Sequence, residues 1–298
     1  MTPVSRATVE GRAYLDLQNK ARRDGRTTDE LIQLYALEGF LARLSVSTYV
    51  DQLVLKGGVL LAAFGDRRPT RDVDLAGIDL DNDASHVLGV VQAVASTAPA
   101  VADGLVFDIA SAHAEVIRDS DEYSGVRVSI NVTLASARAA SHVDVSVGDP
   151  IWPAPQDVAV PRLLDGPDIE VLGYPMEMAL AEKIVTAAQR GTASTRWRDF
   201  GDIWTLSHNH ALRGGDLQAA IEQVAAHRDA DLDALERALV GYAELAQTKW
   251  AQWRRKLKLD QLPAEFADVL TGCIELVDPV LRGEVRDKTW DPSARSWS

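Results

Sequence analysis

Cysteine occurs once in the 298 residues, as Cys273, so no disulfide can close within the chain, and that usage fits a reducing cytosol. Long apolar stretches are missing as well: no uncharged run reaches the roughly 18 residues that a membrane-spanning helix needs. The first twenty residues, MTPVSRATVEGRAYLDLQNK, alternate charge and apolarity without the core of a signal peptide, so a cytoplasmic protein with no membrane partner is expected. Basic residues are in deficit, 31 Lys+Arg against 44 Asp+Glu, which gives a formal charge of −13 and argues against broad coating of nucleic acid. What is plentiful is apolar side chain. At 46% of residues it can fill real cores in one large domain or two ordinary ones, which excludes disorder as the main state.

Thr27 and Glu30 have the spacing of a capping box. Leu31, Leu34, Tyr35, Leu37, Leu41 and Leu44 follow at helical intervals, so an amphipathic helix of about 18 residues is expected there. Gln52–Leu55 reads as a buried strand, Gly57-Gly58 as a turn and Val59–Phe64 as a short helix. Alternation predicts strands at Asp72–Leu75, Leu105–Ile109, Ala114–Ile117, Val126–Leu134 and His142–Val147, with a helix at Val87–Val94. Six of the twelve prolines fall between Pro150 and Pro175, which marks a crossover between two halves. Helical spacing then dominates: 176–189, 199–206, 216–227, 232–257 and 264–281. The expected division is an α/β domain over residues 1–165 and a helical domain over 166–298.

The most informative stretch is Leu55-Lys56-Gly57-Gly58, thirteen further residues, and Asp72-Val73-Asp74. Glycines at a strand end let backbone N–H groups approach a phosphate, and two carboxylates on one strand face can hold a hard divalent cation. The alternative is a solvated turn beside a surface strand. His142-Val143-Asp144 is a second alternating strand whose carboxylate could join the pair if the strands are neighbours, or could equally face solvent. Lys183 stands among apolar neighbours on the first helix after the proline-rich crossover, where a lysine head can snorkel toward a triphosphate or serve a surface ion pair. Asp79–Asp83 begins like a calcium loop but lacks its glycine and final glutamate, and His208-Asn209-His210 has no partners at zinc-ligand spacing.

Five segments in this order, LKGG (55–58), RPTRDVDL (68–75), DVSVGD (144–149), YPMEMALAEKI (174–184) and RWRDFGDIW (196–204), resemble the AbiEii and MenT group of nucleotidyltransferase toxins. The resemblance spans about residues 30–206. It implies an α+β fold, a DNA polymerase β-like nucleotidyltransferase core with a mixed sheet, followed by a mainly helical C-terminal region. By motif position Gly57 and Gly58 face the nucleoside triphosphate; Lys56 and Arg71, close by in sequence, are further candidates to bind the nucleotide and neutralise charge on the leaving pyrophosphate. Asp72 and Asp74 match the paired metal acids, with Asp144 as a third. Lys183 matches a lysine that contacts phosphates, and Asp199 its acidic partner. Thr70 lies where some MenT-type toxins carry a hydroxyl that an antitoxin phosphorylates; the alternative is a turn hydroxyl.

The implied reaction is Mg²⁺-dependent transfer of NMP from NTP to an RNA acceptor, the tRNA 3′ end, in a toxin neutralised by a cognate antitoxin. Lys249, Trp250, Trp253, Arg254, Arg255 and Lys256 supply a candidate surface for RNA phosphates and bases, or else a helix whose tryptophans are core. Two other readings stay open: transfer to a small hydroxylated molecule, as in aminoglycoside nucleotidyltransferases, and a non-catalytic nucleotide-binding or partner-binding module.

Overall fold

The computed structural model describes residues 4–118 and 124–298, which divide into two compact units, 1–149 with 155–174 and 150–154 with 175–298. The first unit opens with two helices, each started by a threonine. Thr8 Oγ1 accepts from the Gly11 N–H at the head of α1 (Val9–Asp24), and Thr27 Oγ1 accepts from Glu30 at the head of α2 (Thr28–Leu44). Helix α2 has the expected extent. Helix α1 is additional to the expected elements, because the residues it buries, Gly11, Ala13, Leu17 and Ala21, are mostly small and make a thin stripe.

A seven-stranded sheet follows, built from β1 (Leu53–Lys56), β2 (Asp72–Gly77), β3 (Leu105–Arg118), β4 (Ser124–Leu134), β5 (Ala137–Val147), β6 (Gln156–Val160) and β7 (Ile169–Gly173). Its order is β3-β4-β5-β2-β1-β7-β6. Strands β2 and β5 run parallel, as do β1 and β7, and the other pairs are antiparallel, so the sheet is mixed and the fold is α+β. Short α3 (Gly57–Leu60) turns directly out of β1, and α4 (Ala84–Ser96) starts at Asp83, whose carboxylate accepts from the N–H groups of Ser85 and His86.

One sheet face is apolar, with Val73, Leu75, Val128, Ile130, Val143 and Val145 buried, while the alternate residues Asp72, Asp74, Arg127, Ser129, His142 and Asp144 remain half-exposed. The period of two thus sorts the core from the chemistry. The division expected at residue 165 moves to the end of β7. That strand is hydrogen-bonded to β6 and followed by Tyr174, whose N–H donates to the Leu55 carbonyl, so residues 166–174 belong to the sheet unit.

The second unit comprises α5 (Met176–Arg190), α6 (Trp197–Asn209), α7 (Gly214–His227), α8 (Leu235–Ala238), α9 (Tyr242–Leu257) and α10 (Phe266–Leu281), with a small sheet of β8 (Leu212–Arg213), β9 (Thr289–Asp291) and β10 (Ser296–Trp297). The single helix expected over 232–257 is two. Gly241, at φ 80°, lies in the left-handed region that interrupts it. The α6, α9 and α10 junction is aromatic, with Trp250 packed on Trp197, Trp253 and Phe266 at centroid distances of 6.2, 5.3 and 5.2 Å.

Candidate active site

Strand β1 ends at Lys56, and the chain turns at Gly57 with φ 67°, a conformation that favours glycine. Space adds a second requirement, since a Cβ at Gly57 would lie 2.0 Å from Asp74 Oδ2. The Gly58 N–H donates to that same oxygen over 3.4 Å, so the turn presents backbone N–H groups beside a carboxylate. A Cβ on Gly58 would meet Thr70 Oγ1 at 2.8 Å, which places Thr70 against the same turn.

Across the sheet the register sets four charged residues side by side in one rung, with Glu115 on β3 as the fifth, beyond Arg127. Lys56 on β1 is paired with Asp74 on β2, Asp74 with Asp144 on β5, and Asp144 with Arg127 on β4. The order of these four is cation, acid, acid, cation. Arg127 lies outside every sequence motif. The signal available is the alternation of Val126, Val128 and Ile130, which turns Arg127 to the polar face without revealing its partner. Its Nε and Nη2 donate to the two oxygens of Asp144 at 2.7 and 2.6 Å, and Nη2 lies 3.6 Å from Asp72 Oδ2. The bond to Asp144 raises the guanidinium pKa further.

Burial, and next the charge of Asp144, push the Asp74 carboxyl up to about 6; the same two causes raise Asp72. Crowded carboxylates of this kind are stabilised by a cation. Among the described residues no group of three His, Cys, Asp or Glu is arranged to hold a metal ion, and both Asp144 oxygens already accept from Arg127. Asp72 and Asp74 are donors of the kind that fits a divalent cation, and Asp144, the third acid expected to join them, stands beside Asp74 on β5. Two carboxylates completed by substrate phosphates and water suit Mg²⁺, which is seldom held in an all-protein cage.

The other expected nucleotide contacts are tethered differently. Lys56 Nζ donates to Asp149 Oδ2 at 3.1 Å and lies 5.6 Å from the centroid of the Tyr174 ring. Arg71 is exposed, and its carbonyl accepts from Gln33 Nε2 at 3.2 Å.

In the second unit Lys183 is buried, donating from Nζ to Asp199 Oδ1 at 3.2 Å and to Asp202 Oδ2 at 2.8 Å; Arg196 Nε donates to Asp199 Oδ2 at 2.6 Å. Asp202 escapes the motif reading because its neighbour Asp199 takes the assignment, although helical spacing puts both within reach of one lysine. Of the candidate RNA residues on α9, Trp250 belongs to the core. Trp250 is fully buried with Nε1 donating to the Pro263 carbonyl at 2.9 Å, while half-buried Trp253 packs edge-on against Trp197. Arg254 Nε donates to the Leu262 carbonyl at 2.7 Å. Lys249, Arg255 and Lys256 are exposed.

A glycine turn against Asp74, with Asp72 beside it on a mixed sheet, is an arrangement that suits nucleotidyl transfer. A solved structure shares the fold: MenT4, a nucleotidyltransferase toxin from Mycobacterium tuberculosis H37Rv, matches with a TM-score of 0.54 at 16% identity over 91% of this chain and 94% of its own. JHP933 from Helicobacter pylori matches at 15% identity over 87% of this chain and 95% of its own, with a TM-score of 0.49. No curated protein sequence matches significantly. The model of the AbiEii nucleotidyl transferase toxins of type IV toxin–antitoxin systems matches residues 39–272, and the chain belongs to that family. Among the described residues no helix is long and apolar enough to cross a membrane.

Proposed function

We propose that this toxin transfers a nucleoside monophosphate from an NTP to the 3′ hydroxyl of a tRNA in the cytoplasm, with Mg²⁺ held by Asp72 and Asp74. The observation that carries the reading is the Gly57–Gly58 turn against Asp74 in the charged rung. The N–H groups of the turn bind triphosphate oxygens, and the missing side chains let the phosphates approach. Mg²⁺, when bound, neutralises triphosphate charge and lowers the pKa of the attacking hydroxyl. The hydroxyl oxygen forms a bond to the α-phosphorus, the bond from that phosphorus to the oxygen bridging to the β-phosphate breaks, pyrophosphate departs, and the hydroxyl proton passes to a general base.

Asp144, whose two oxygens accept from Arg127, is the third candidate metal acid and, with Asp199, a candidate to take up the hydroxyl proton. Lys183 and Asp199, matched to the family motif, are assigned to phosphate contact and to its orientation, and Asp202 joins Asp199 in holding the lysine. Lys56 and Arg71 are auxiliary nucleotide contacts. For RNA, exposed Lys249, Arg255 and Lys256 remain candidates on α9. Thr70 is the candidate regulatory phosphosite for a cognate antitoxin. A phosphate there adds negative charge beside the Gly58 turn and repels an incoming triphosphate.

The test is incubation with each labelled NTP, Mg²⁺ and total cellular RNA. Label is expected on tRNA and lost in Asp72→Ala and Lys183→Ala. Label on a small hydroxylated acceptor, with none on RNA for any nucleotide, overturns the RNA reading in favour of small-molecule modification.

A further inference from the structure

Nucleotidyl transfer as described leaves Arg127 with no task of its own beyond holding Asp144, yet it engages two of the acids on the polar face of the sheet. Its backbone is fixed on both sides, paired with Glu115 on β3 and with Asp144 on β5. Its side chain is 37% exposed. One nitrogen, Nη2, lies 2.6 Å from Asp144 and 3.6 Å from Asp72, and so spans the two parallel strands that carry the acids. A cation at this point occupies the place between Asp72 and Asp144 that a divalent ion bridging them would take.

We infer that Arg127 is an internal counter-cation that keeps divalent metal off the free enzyme until the triphosphate arrives. The inference rests on the reading that Asp72 and Asp74 hold the metal. A guanidinium and a divalent ion at one carboxylate repel each other, and the effect is strong where the acids are half-buried and the local dielectric is low. The triphosphate changes the balance twice: its negative charge offsets the repulsion, and its oxygens offer the Arg127 fork an alternative partner of matching geometry. Metal and nucleotide then load together rather than in sequence.

If Arg127 merely ties β4 to β5, its removal lowers stability and leaves metal affinity unchanged. The deciding measurement is titration of nucleotide-free protein with Mn²⁺, with the free ion followed by electron paramagnetic resonance and folding checked by circular dichroism. Arg127→Met is expected to bind Mn²⁺ on the order of tenfold tighter than the wild type, from the loss of a like charge at contact range. Arg127→Gln, which keeps an amide to face Asp144 and is the gentler change for folding, is expected to move in the same direction. In an Asp144→Asn background the gain from removing Arg127 should shrink, because Asp144 is what anchors the guanidinium beside Asp72. Unchanged or weaker Mn²⁺ binding in either folded Arg127 variant overturns the inference. Asp74→Asn reports separately: its affinity should fall in every background, and if it does not, the assignment of the metal acids fails instead.

Discussion

Gly57→Ala is the sharpest perturbation of the site, because the structure fixes both parts of its cost. At φ 67° a residue with a Cβ is strained by about 1–2 kcal/mol. The new methyl would also sit 2.0 Å from Asp74 Oδ2 and 2.5 Å from its Cγ, where ordinary contact begins at 3.4 Å, so the carboxylate must retreat by more than an ångström. Overpacking of this kind costs about 1–3 kcal/mol. Together roughly 2–5 kcal/mol are lost, which for a unit of this size lowers Tm by about 4–20 °C.

A displacement of that size at a reacting centre is expected to slow transfer on the order of 100-fold, read as pyrophosphate release. Gly65→Ala is the internal control: Gly65 has φ 88° but nothing within 4 Å of the point where a methyl would stand, so it should show the backbone cost without the contact and leave turnover intact. Calorimetry and turnover on the two variants separate the contributions. If Gly57→Ala melts and turns over like the wild type, or if the two variants lose activity alike, the close approach to Asp74 is not what sets the site.

Three further outcomes follow from buried groups elsewhere. Asp103 accepts from Arg43 at 2.6 and 3.2 Å in the core, so Asp103→Ala strands that arginine and should cost about 3–5 kcal/mol in urea unfolding. The His208 ring stacks on Trp204 at 3.7 Å, and burial lowers its pKa below the usual 6.5. Because the unfolded chain takes up the proton more readily, the stability held by neutral His208 is full above pH 6.5 and is lost as pH falls below it; the Tm gap between wild type and His208→Gln should change across that window, and a constant gap refutes it. Burial pushes the Cys273 thiol up and keeps it protonated, so a thiol reagent should label it only after denaturation.

Local chemistry explains which elements can be read in advance. The Thr27 cap, the leucine period of α2 and the alternation of Asp72–Leu75 each carry their signal within a few residues. Strands β6 and β7 are hidden by the prolines around them, which lie mostly at strand ends and loops where no ladder bond is needed. In the site, the glycine turn and the acid pair are legible as motifs. The partnership of Arg127 with Asp144 is not, because it depends on which strands are neighbours and in which register. Trp250 shows the converse: five basic residues and two tryptophans in ten positions suggest a nucleic-acid face, and a tertiary aromatic cluster claims the rings.

The rung of Lys56, Asp74, Asp144 and Arg127 has a consequence for the cell that makes this protein. Its members come from four different strands, and one residue of slippage between β2 and β5 would turn Asp144 to the helix-covered side and set a valine beside Asp74. A nascent chain still short of residue 144, or a copy trapped in the wrong pairing, lacks the finished row of charges. On the proposed reading of the site, transfer therefore waits on correct pairing of β2 with β5.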